Sequence, residues 1–178
     1  MTGSADKNID QIIDACKEGK EWGQKMLYTS YKDALYNLAF QISGSETEAE
    51  HILQDSFLDI FRSIINFRGD SGIYAWMRAI VVRKAIKNKK RNHWEWTNYE
   101  EAFKEEEIVT APETDAEDLM KALHQLPDGY RTILILFYME DYTHEQIANE
   151  LGIETGTSKS QLHRAKLKLK KIILKGKK

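Results

Sequence analysis

Two segments concentrate the positive charge of a chain whose net charge is −2. Residues 67–93 carry eight Lys and Arg against one acidic residue, and residues 157–178 carry nine against none. Because local rather than net charge governs affinity for nucleic acid, two compact basic blocks on an otherwise acidic chain predict two separate contacts with a polyanion. The alternative is that both blocks are solvated helix faces.

A helix-turn-helix pattern precedes the second basic block. Thr143 and Gln146 fit a capping box, which predicts that a short helix begins there. Ala148 and Gly152 stand four apart, so that a small side chain allows close packing and a glycine takes the turn conformation. A second helix is then expected from about Thr157 to Leu174.

That second helix has one apolar face and one polar face. Leu162, Ala165, Leu169 and either Ile172 or Ile173 are expected to point inward. A recognition helix in the major groove needs short or hydrogen-bonding residues early and basic flanks. The residues expected to remain for solvent or DNA are Thr157, Ser158, Lys159, Gln161, His163, Arg164, Lys166, Lys168 and Lys170. A plain helical hairpin with a solubilising tail is the alternative.

Apolar periodicity predicts three helices in the first half of the chain. Ser45 and Glu48 fit a second capping box at the start of the middle helix, and a loop is expected over residues 67–72. The third helix is expected from about Ile73 to Asn92. The inward faces are expected to comprise Trp22, Met26, Leu27, Tyr31, Leu35, Leu38 and Ile42, then Ile52, Leu53, Phe57, Ile60, Phe61 and Ile64, then Trp76, Met77, Ile80 and Ala85.

The fold predicted from these patterns is all-α, with two small helical domains joined by an acidic linker. The linker is placed at residues 94–117, because residues 94–118 hold ten acidic residues, one lysine and no sustained apolar face. The domains are then 1–93 and 118–178. Two further helices should open the second domain, from near Ala116 to Pro127 and over the apolar residues from Ile133 to Met139.

At these residues the chain resembles extracytoplasmic-function sigma factors over nearly its whole length. Gly156-Thr157 and the run Lys-Ser-Gln-Leu-His-Arg-Ala at 159–165 are similar to the recognition helix of that family, and Leu-Pro-Asp-Gly-Tyr-Arg precedes it at 126–131. Residues 49–57 are similar to the polymerase-binding helix. Residues 67–71, with Trp76, are similar to the promoter-melting segment.

The resemblance implies that the chain binds core RNA polymerase and promoter DNA, with an anti-sigma factor as a further partner. Polymerase docking is expected at Gln54, Asp55, Phe57, Leu58, Phe61 and Arg62, although Phe57 and Phe61 fit a core equally well. The −10 strand is expected at Arg68, Asp70, Ser71, Tyr74, Arg78, Arg83, Lys84, Lys87 and Arg91, with Trp76 in the core rather than on the DNA. The −35 duplex is expected at residues 157–168, and the linker is expected to thread the polymerase channel or to act as a solvated tether.

Three positions depart from the family pattern. Arg83 stands where asparagine is usual, and Ser158 stands where the recognition helix usually has a buried Val or Ile. Gln161 occupies a position often held by Arg. Because glutamine pairs with adenine and arginine with guanine, Gln161 suggests that adenine is read in the −35 element.

Enzyme chemistry is not expected. Five scattered histidines and one cysteine lack metal-ligand spacing, and we find neither a phosphate-binding glycine loop nor a nucleophile beside a base. No cofactor, metal or membrane insertion is predicted, and the polar N-terminus and lone cysteine favour the cytoplasm. Rival hypotheses are a helix-turn-helix regulator that binds its operator alone and a helical adaptor that binds only protein.

Overall fold

The structure is a computed structural model that describes residues 3–91 and 115–176, and it confirms the all-α fold. The described residues form eight α-helices and one 3-10 turn. The chain divides into two compact units, unit 1 at Met1–Asn88 and unit 2 at Lys89–Lys178. Residues 94–114, most of the expected linker, lie outside the described residues, so the linker and the domain bounds stay predictions.

Unit 1 is built from four helices. They are α1 at Gly3–Lys17, α2 at Glu21–Ser43, α3 at Glu46–Ser63 and α4 at Ile73–Arg91, with the 3-10 turn Ile64–Asn66 after α3. The last three residues of α4 follow Asn88, the end of unit 1. Ser45 accepts a hydrogen bond from the Glu48 N–H at 3.4 Å, which starts α3 where the sequence predicts. The fully buried large side chains of the unit are Leu27, Leu35, Ile42, Ile60, Ile64, Met77 and Val81.

Helix α1 was not predicted, and it changes which face of α2 is buried. Trp22 and Met26, expected in the core, are 51% and 45% exposed, so that expectation is wrong. The buried position is Gly23, where an added Cβ would lie 2.6 Å from the Cβ of Ala15 in α1. Because glycine contributes no apolar side chain to the periodicity, the sequence pattern does not reveal this close helix–helix contact.

Unit 2 contains the helix-turn-helix. Its helices are α5 at Ala116–His124, α6 at Asp128–Tyr138, α7 at His144–Leu151 and α8 at Thr155–Gly176. The capping box is confirmed: the Thr143 N–H donates to Gln146 Oε1 at 2.8 Å, and the Gln146 N–H donates to Thr143 Oγ1 at 3.2 Å. Gly152 ends α7 in the left-handed conformation at φ 69°.

An ion pair between a buried arginine and a partly exposed aspartate secures the turn between α5 and α6. The Arg131 guanidinium is 4% exposed, contacts Asp128 and donates to the Leu126 carbonyl at 3.2 Å. A buried charge is tolerated only when it is paired and hydrogen-bonded, and both conditions hold here. The pair therefore fixes the start of α6, which lies at the centre of the unit 2 core.

We expect Gly23→Ala to lower the free energy of unfolding by about 1–3 kcal/mol, because the added methyl overpacks the α1–α2 contact. Alanine normally stabilises a helix relative to glycine. A decrease in the free energy of unfolding would therefore indicate the close contact between α1 and α2. The matched control is Gly156→Ala in α8, where nothing lies within 4 Å of the added Cβ. That change should raise stability by about 0.5–1 kcal/mol. Urea unfolding followed by circular dichroism measures both, and a stabilised Gly23→Ala variant would contradict the close packing.

Candidate nucleic-acid and polymerase interfaces

A basic surface covers the loop before α4 and the outer side of α4. Arg68, Asp70 and Ser71 are exposed in the loop, where Gly69 has a positive φ of 82°. On α4, Arg83 and Lys87 are exposed, whereas Arg78 and Lys84 are half-buried. The side chain of Arg91 lies outside the described residues. The structure thus places the described −10 candidates on one loop and one helix.

An open groove of about 510 Å³ lies between α3 and α4. It is lined by Asp59, Arg62, Ser63, Asn66, Ile80, Arg83, Lys84 and Lys87. Asp59 neutralises part of the positive charge of the groove, because its carboxylate lies 2.8 Å from Lys84 Nζ and 3.7 Å from the Arg62 guanidinium. Arg62, a residue expected at the polymerase interface, therefore shares a groove with three of the −10 candidates.

Two pairs of aromatic rings lie at the start of α4 and in the loop before it. Tyr74 is 36% exposed and stacks on Tyr31 of α2, with ring centroids 5.8 Å apart and planes at 19°. Trp76 is half-buried against Phe67, at 5.3 Å between centroids. Tyr31 is missing from the predicted site because it is 43 positions from Tyr74, and no local pattern signals their contact. An exposed ring on the helix that also carries the basic side chains is suited to unpaired bases.

Helix α3 presents a second surface. Gln54, Asp55, Leu58 and Arg62 are exposed, with Leu58 at 53%. Phe57 is only 4% exposed and meets Tyr28 edge-on at 4.7 Å, so its assignment to the polymerase interface is wrong. The physical reason is helical geometry, because position 57 faces α2 when 54, 58 and 62 face outward. Phe61 is half-buried at the boundary between the two faces.

Helix α8 presents the third surface. Lys159, His163 and Lys166 are exposed, while Thr157, Arg164 and Lys168 are half-buried. Ser158 and Gln161 are 0% and 6% exposed, so their expected contacts with DNA are wrong for this structure. Both belong to the buried face of α8, together with Leu162 and Ala165. The adenine preference inferred from Gln161 loses its basis, because a buried amide does not reach a base edge.

Ser158 is bonded inside the helix-turn-helix. Its Oγ lies 3.0 Å from Nδ1 of His144, the first residue of α7. The His144 ring also stacks on Phe137 of α6 at 4.8 Å between centroids. Burial and the nearby Lys159 lower the pKa of His144, and burial and Arg131 lower the pKa of His124.

An apolar groove of about 570 Å³ lies among α5, α6 and α8. Its exposed apolar side chains include Leu119, Tyr138 and Met139, which are 37%, 56% and 43% exposed. Lys166 and Lys170 also line it. A continuous apolar groove in a small helical unit is typical of a protein-docking site.

Two further findings concern the described residues as a whole. None of their helices has the length and apolar character needed to cross a membrane. Likewise, no three of their His, Cys, Asp or Glu side chains are grouped so that they could hold a metal ion.

Comparison with known proteins identifies the class. Residues 27–95 match the family described as Sigma-70 region 2, and residues 116–169 match Sigma-70, region 4. The chain is 35% identical over 150 residues to RNA polymerase sigma factor SigV of Bacillus subtilis, covering 82% of this chain and 87% of that protein. It is 26% identical over 159 residues to ECF RNA polymerase sigma factor SigE of Mycolicibacterium smegmatis, covering 84% of this chain and 61% of that one.

The fold agrees with this class. The sigma factor RpoE from Bartonella quintana, solved in complex with the anti-sigma factor NepR, superposes with a TM-score of 0.55 at 24% identity, covering 84% of this chain and 95% of that one. The chain is therefore a member of the sigma-70 family of RNA polymerase sigma factors. Within that family it belongs to the extracytoplasmic-function group, as the resemblance in its motifs implies.

The lowered histidine pKa values predict acid destabilisation. Between their ordinary value of 6.5 and the lower folded values, the unfolded chain binds more protons than the folded chain. The free energy of unfolding should therefore fall as the pH is lowered from 6.5. The double variant His124→Gln/His144→Gln should show a shallower fall between pH 6.5 and about 5, above most carboxylate titration. Urea unfolding across this range measures it, and identical slopes would contradict the assignment.

Proposed function

We propose that the three surfaces divide the work of a sigma factor. The outer face of α3 docks on core RNA polymerase, the loop at 67–72 with α4 holds the separated −10 strand, and α8 binds the −35 duplex. The observation that carries this proposal is that the two basic surfaces lie on different units, and each unit matches a different sigma-70 region. The role is binding rather than catalysis, and it is exercised in the cytoplasm, where the chromosome lies.

The α3 surface has the composition of a protein interface. Leu58 supplies an exposed apolar anchor, and Gln54, Asp55 and Arg62 supply a polar rim around it. A helix within a folded core does not need an exposed leucine at its centre, whereas a docking helix does. We therefore place the polymerase contact on this face, with Phe57 holding α3 against α2 from behind.

Asp55→Arg should weaken binding of core polymerase by about tenfold, because it reverses a charge at the edge of the docking face. Asp55 is exposed, so the helical circular-dichroism spectrum should not change. The control is Asp10→Arg, the same reversal at an exposed position of α1. Titration of core with fluorescently labelled protein measures both affinities. Equal affinities for the two variants would remove the α3 face from the proposal.

The two basic surfaces suit different forms of DNA. The unit 1 surface combines basic side chains with one exposed ring, Tyr74, a combination suited to unpaired bases. The α8 surface offers Lys159, His163 and Lys166 on the second helix of a helix-turn-helix, the element that enters the major groove of a duplex. Contacts to duplex exist before melting, whereas contacts to the separated strand exist only afterwards.

Lys166→Ala and Lys87→Ala should therefore fail at different steps. Lys166→Ala should weaken closed-complex formation and reduce the salt slope of binding by about one unit, as expected for a lost phosphate contact. Lys87→Ala should leave the closed complex intact and reduce strand opening, measured by permanganate reactivity of unpaired thymines. A premelted promoter should rescue Lys87→Ala much more than Lys166→Ala. Equal rescue of the two variants would show that the basic surfaces are not divided in this way.

An anti-sigma factor is the second proposed partner, contacting both units. Without polymerase, unit 1 exposes the apolar side chains of Leu58 and Ile65, and unit 2 exposes the apolar groove among α5, α6 and α8. Exposed apolar patches of this kind favour binding of a protein partner. Lys166 and Lys170 in the groove favour an apolar segment with acidic flanks. A partner seated there would also cover Lys166 and block −35 binding. Recovery of polymerase as the sole stoichiometric companion of the tagged protein from its host would oppose this.

A further inference from the structure

The contact between His144 and Ser158 joins the two helices of the helix-turn-helix. It lies in the first turn of α8, directly before the exposed Lys159. Ser158 lies in the first turn of α8, has no exposed surface, and is 3.0 Å from His144 Nδ1. A buried hydroxyl needs a hydrogen-bond partner, because leaving it unsatisfied is costly. The pair is therefore part of the packing between α7 and α8.

His144 is itself held from a second side. Its ring stacks on Phe137 of α6, with planes at 29°. As the first residue of α7, it follows Thr143, whose capping box fixes the start of that helix. The ring thus has a defined position before it meets Ser158, and it links α6, α7 and α8.

A hydrogen bond restricts α8 in a way that an apolar contact does not. Apolar packing is non-directional and allows a helix to rotate or slide by small amounts, whereas a hydrogen bond weakens steeply once its angle falls below about 120°. Lys159 follows Ser158 directly and is exposed, and His163 lies one turn further along the exposed face. Any rotation of α8 at Ser158 therefore moves the side chains that would face DNA.

We propose that His144 and Ser158 are positioning residues that set the rotation of α8 and thereby the selectivity of the protein for its −35 sequence. This rests on the proposed function of α8. Neither side chain touches DNA in this proposal. They act through Lys159, His163 and the other exposed residues of the helix. Loss of the pair should therefore reduce discrimination between −35 sequences more than it reduces non-specific affinity for DNA, because the exposed positive charge is unchanged.

The proposal is tested by transcription with core polymerase from a promoter library randomised across the −35 element. Sequencing of the transcripts gives the preference for each base. Ser158→Ala, which removes the hydroxyl, and His144→Phe, which keeps a ring on Phe137, should each reduce discrimination at the best-defined positions by about tenfold. The control is Ser30→Ala, the same loss of a hydroxyl at an exposed serine of α2 in unit 1. It should keep the wild-type preference.

The double variant His144→Phe/Ser158→Val separates positioning from stability. Replacing both polar partners by apolar groups removes the unsatisfied atoms that each single variant leaves, so the thermal midpoint should recover relative to Ser158→Ala. Discrimination should stay reduced, because the directional contact is still absent. Recovery of discrimination together with the midpoint would overturn the proposal and make the pair purely structural. Wild-type discrimination in both single variants, shown folded by circular dichroism, would overturn it as well.

A different result would contradict the proposed function rather than this inference. If the wild-type protein with core polymerase shows no preference across the randomised −35 element, the assignment of α8 to that element fails. If the wild-type protein is selective and the two single variants match it, only the positioning role fails. The library experiment therefore distinguishes the two.

Discussion

The buried face of α8 is the constraint on which the duplex-facing surface depends. Ser158, Gln161, Leu162 and Ala165 pack inward, and successive residues of a helix are separated by about 100°. The positions left facing outward are therefore fixed, with Lys159, His163 and Lys166 among them. A helix that gives one face to a core retains only the opposite face for binding, so the stability of unit 2 and the identity of its binding residues have the same physical cause.

Burial of one helix face also determines which residues of α3 can bind a partner. It places two adjacent residues, Phe57 and Leu58, in different environments. Phe57 packs against Tyr28, and Leu58, one position later, is exposed on the other face. An exposed leucine is unremarkable alone, but here it lies among polar residues on a helix whose other side is well packed. The core of unit 1 thus holds the proposed docking residues in place without including them.

Electrostatics in unit 1 are more local than the charge count suggests. Residues 67–93 have a strong excess of positive charge, yet Lys84 is held 2.8 Å from Asp59 of α3. Part of the basic block therefore stabilises the packing of α3 on α4, although exposed ion pairs contribute little and half-buried ones somewhat more. Arg62 has the opposite effect, because it adds a positive charge from α3 to the basic surface of α4 that lines the same groove. Charged side chains that are far apart in the sequence can lie on the same surface once helices pack side by side, so the charge of a segment does not give the charge of a surface.

Most elements of this fold could be predicted from the sequence, because their signals are local. The Thr143 capping box, the left-handed Gly152 and the helix starts near Ser45 and Ile73 each depend on residues within one turn. The order of the sigma-70 motifs is also a property of the sequence. Helix α1 was missed, although Ile9, Ile12, Ile13 and Cys16 have helical spacing, because the segment reads as polar and acidic overall.

Tertiary packing alone decided which side of each helix became the core. Trp22 and Met26 look like core residues by type, but α1 packs over Gly23 and leaves them exposed. Gln161 looks like a DNA-reading residue by type, but it lies 60° from Ser158 on the inward side of α8 and is buried. Tyr31 meets Tyr74, and His144 meets Ser158, only because different helices bring them together. The sequence by itself determined where most of the helices begin, through local caps and turns, and where charge concentrates along the chain. The rotation of each helix depends on the neighbours it packs against, so the choice of which polar residues face a partner was settled only in three dimensions.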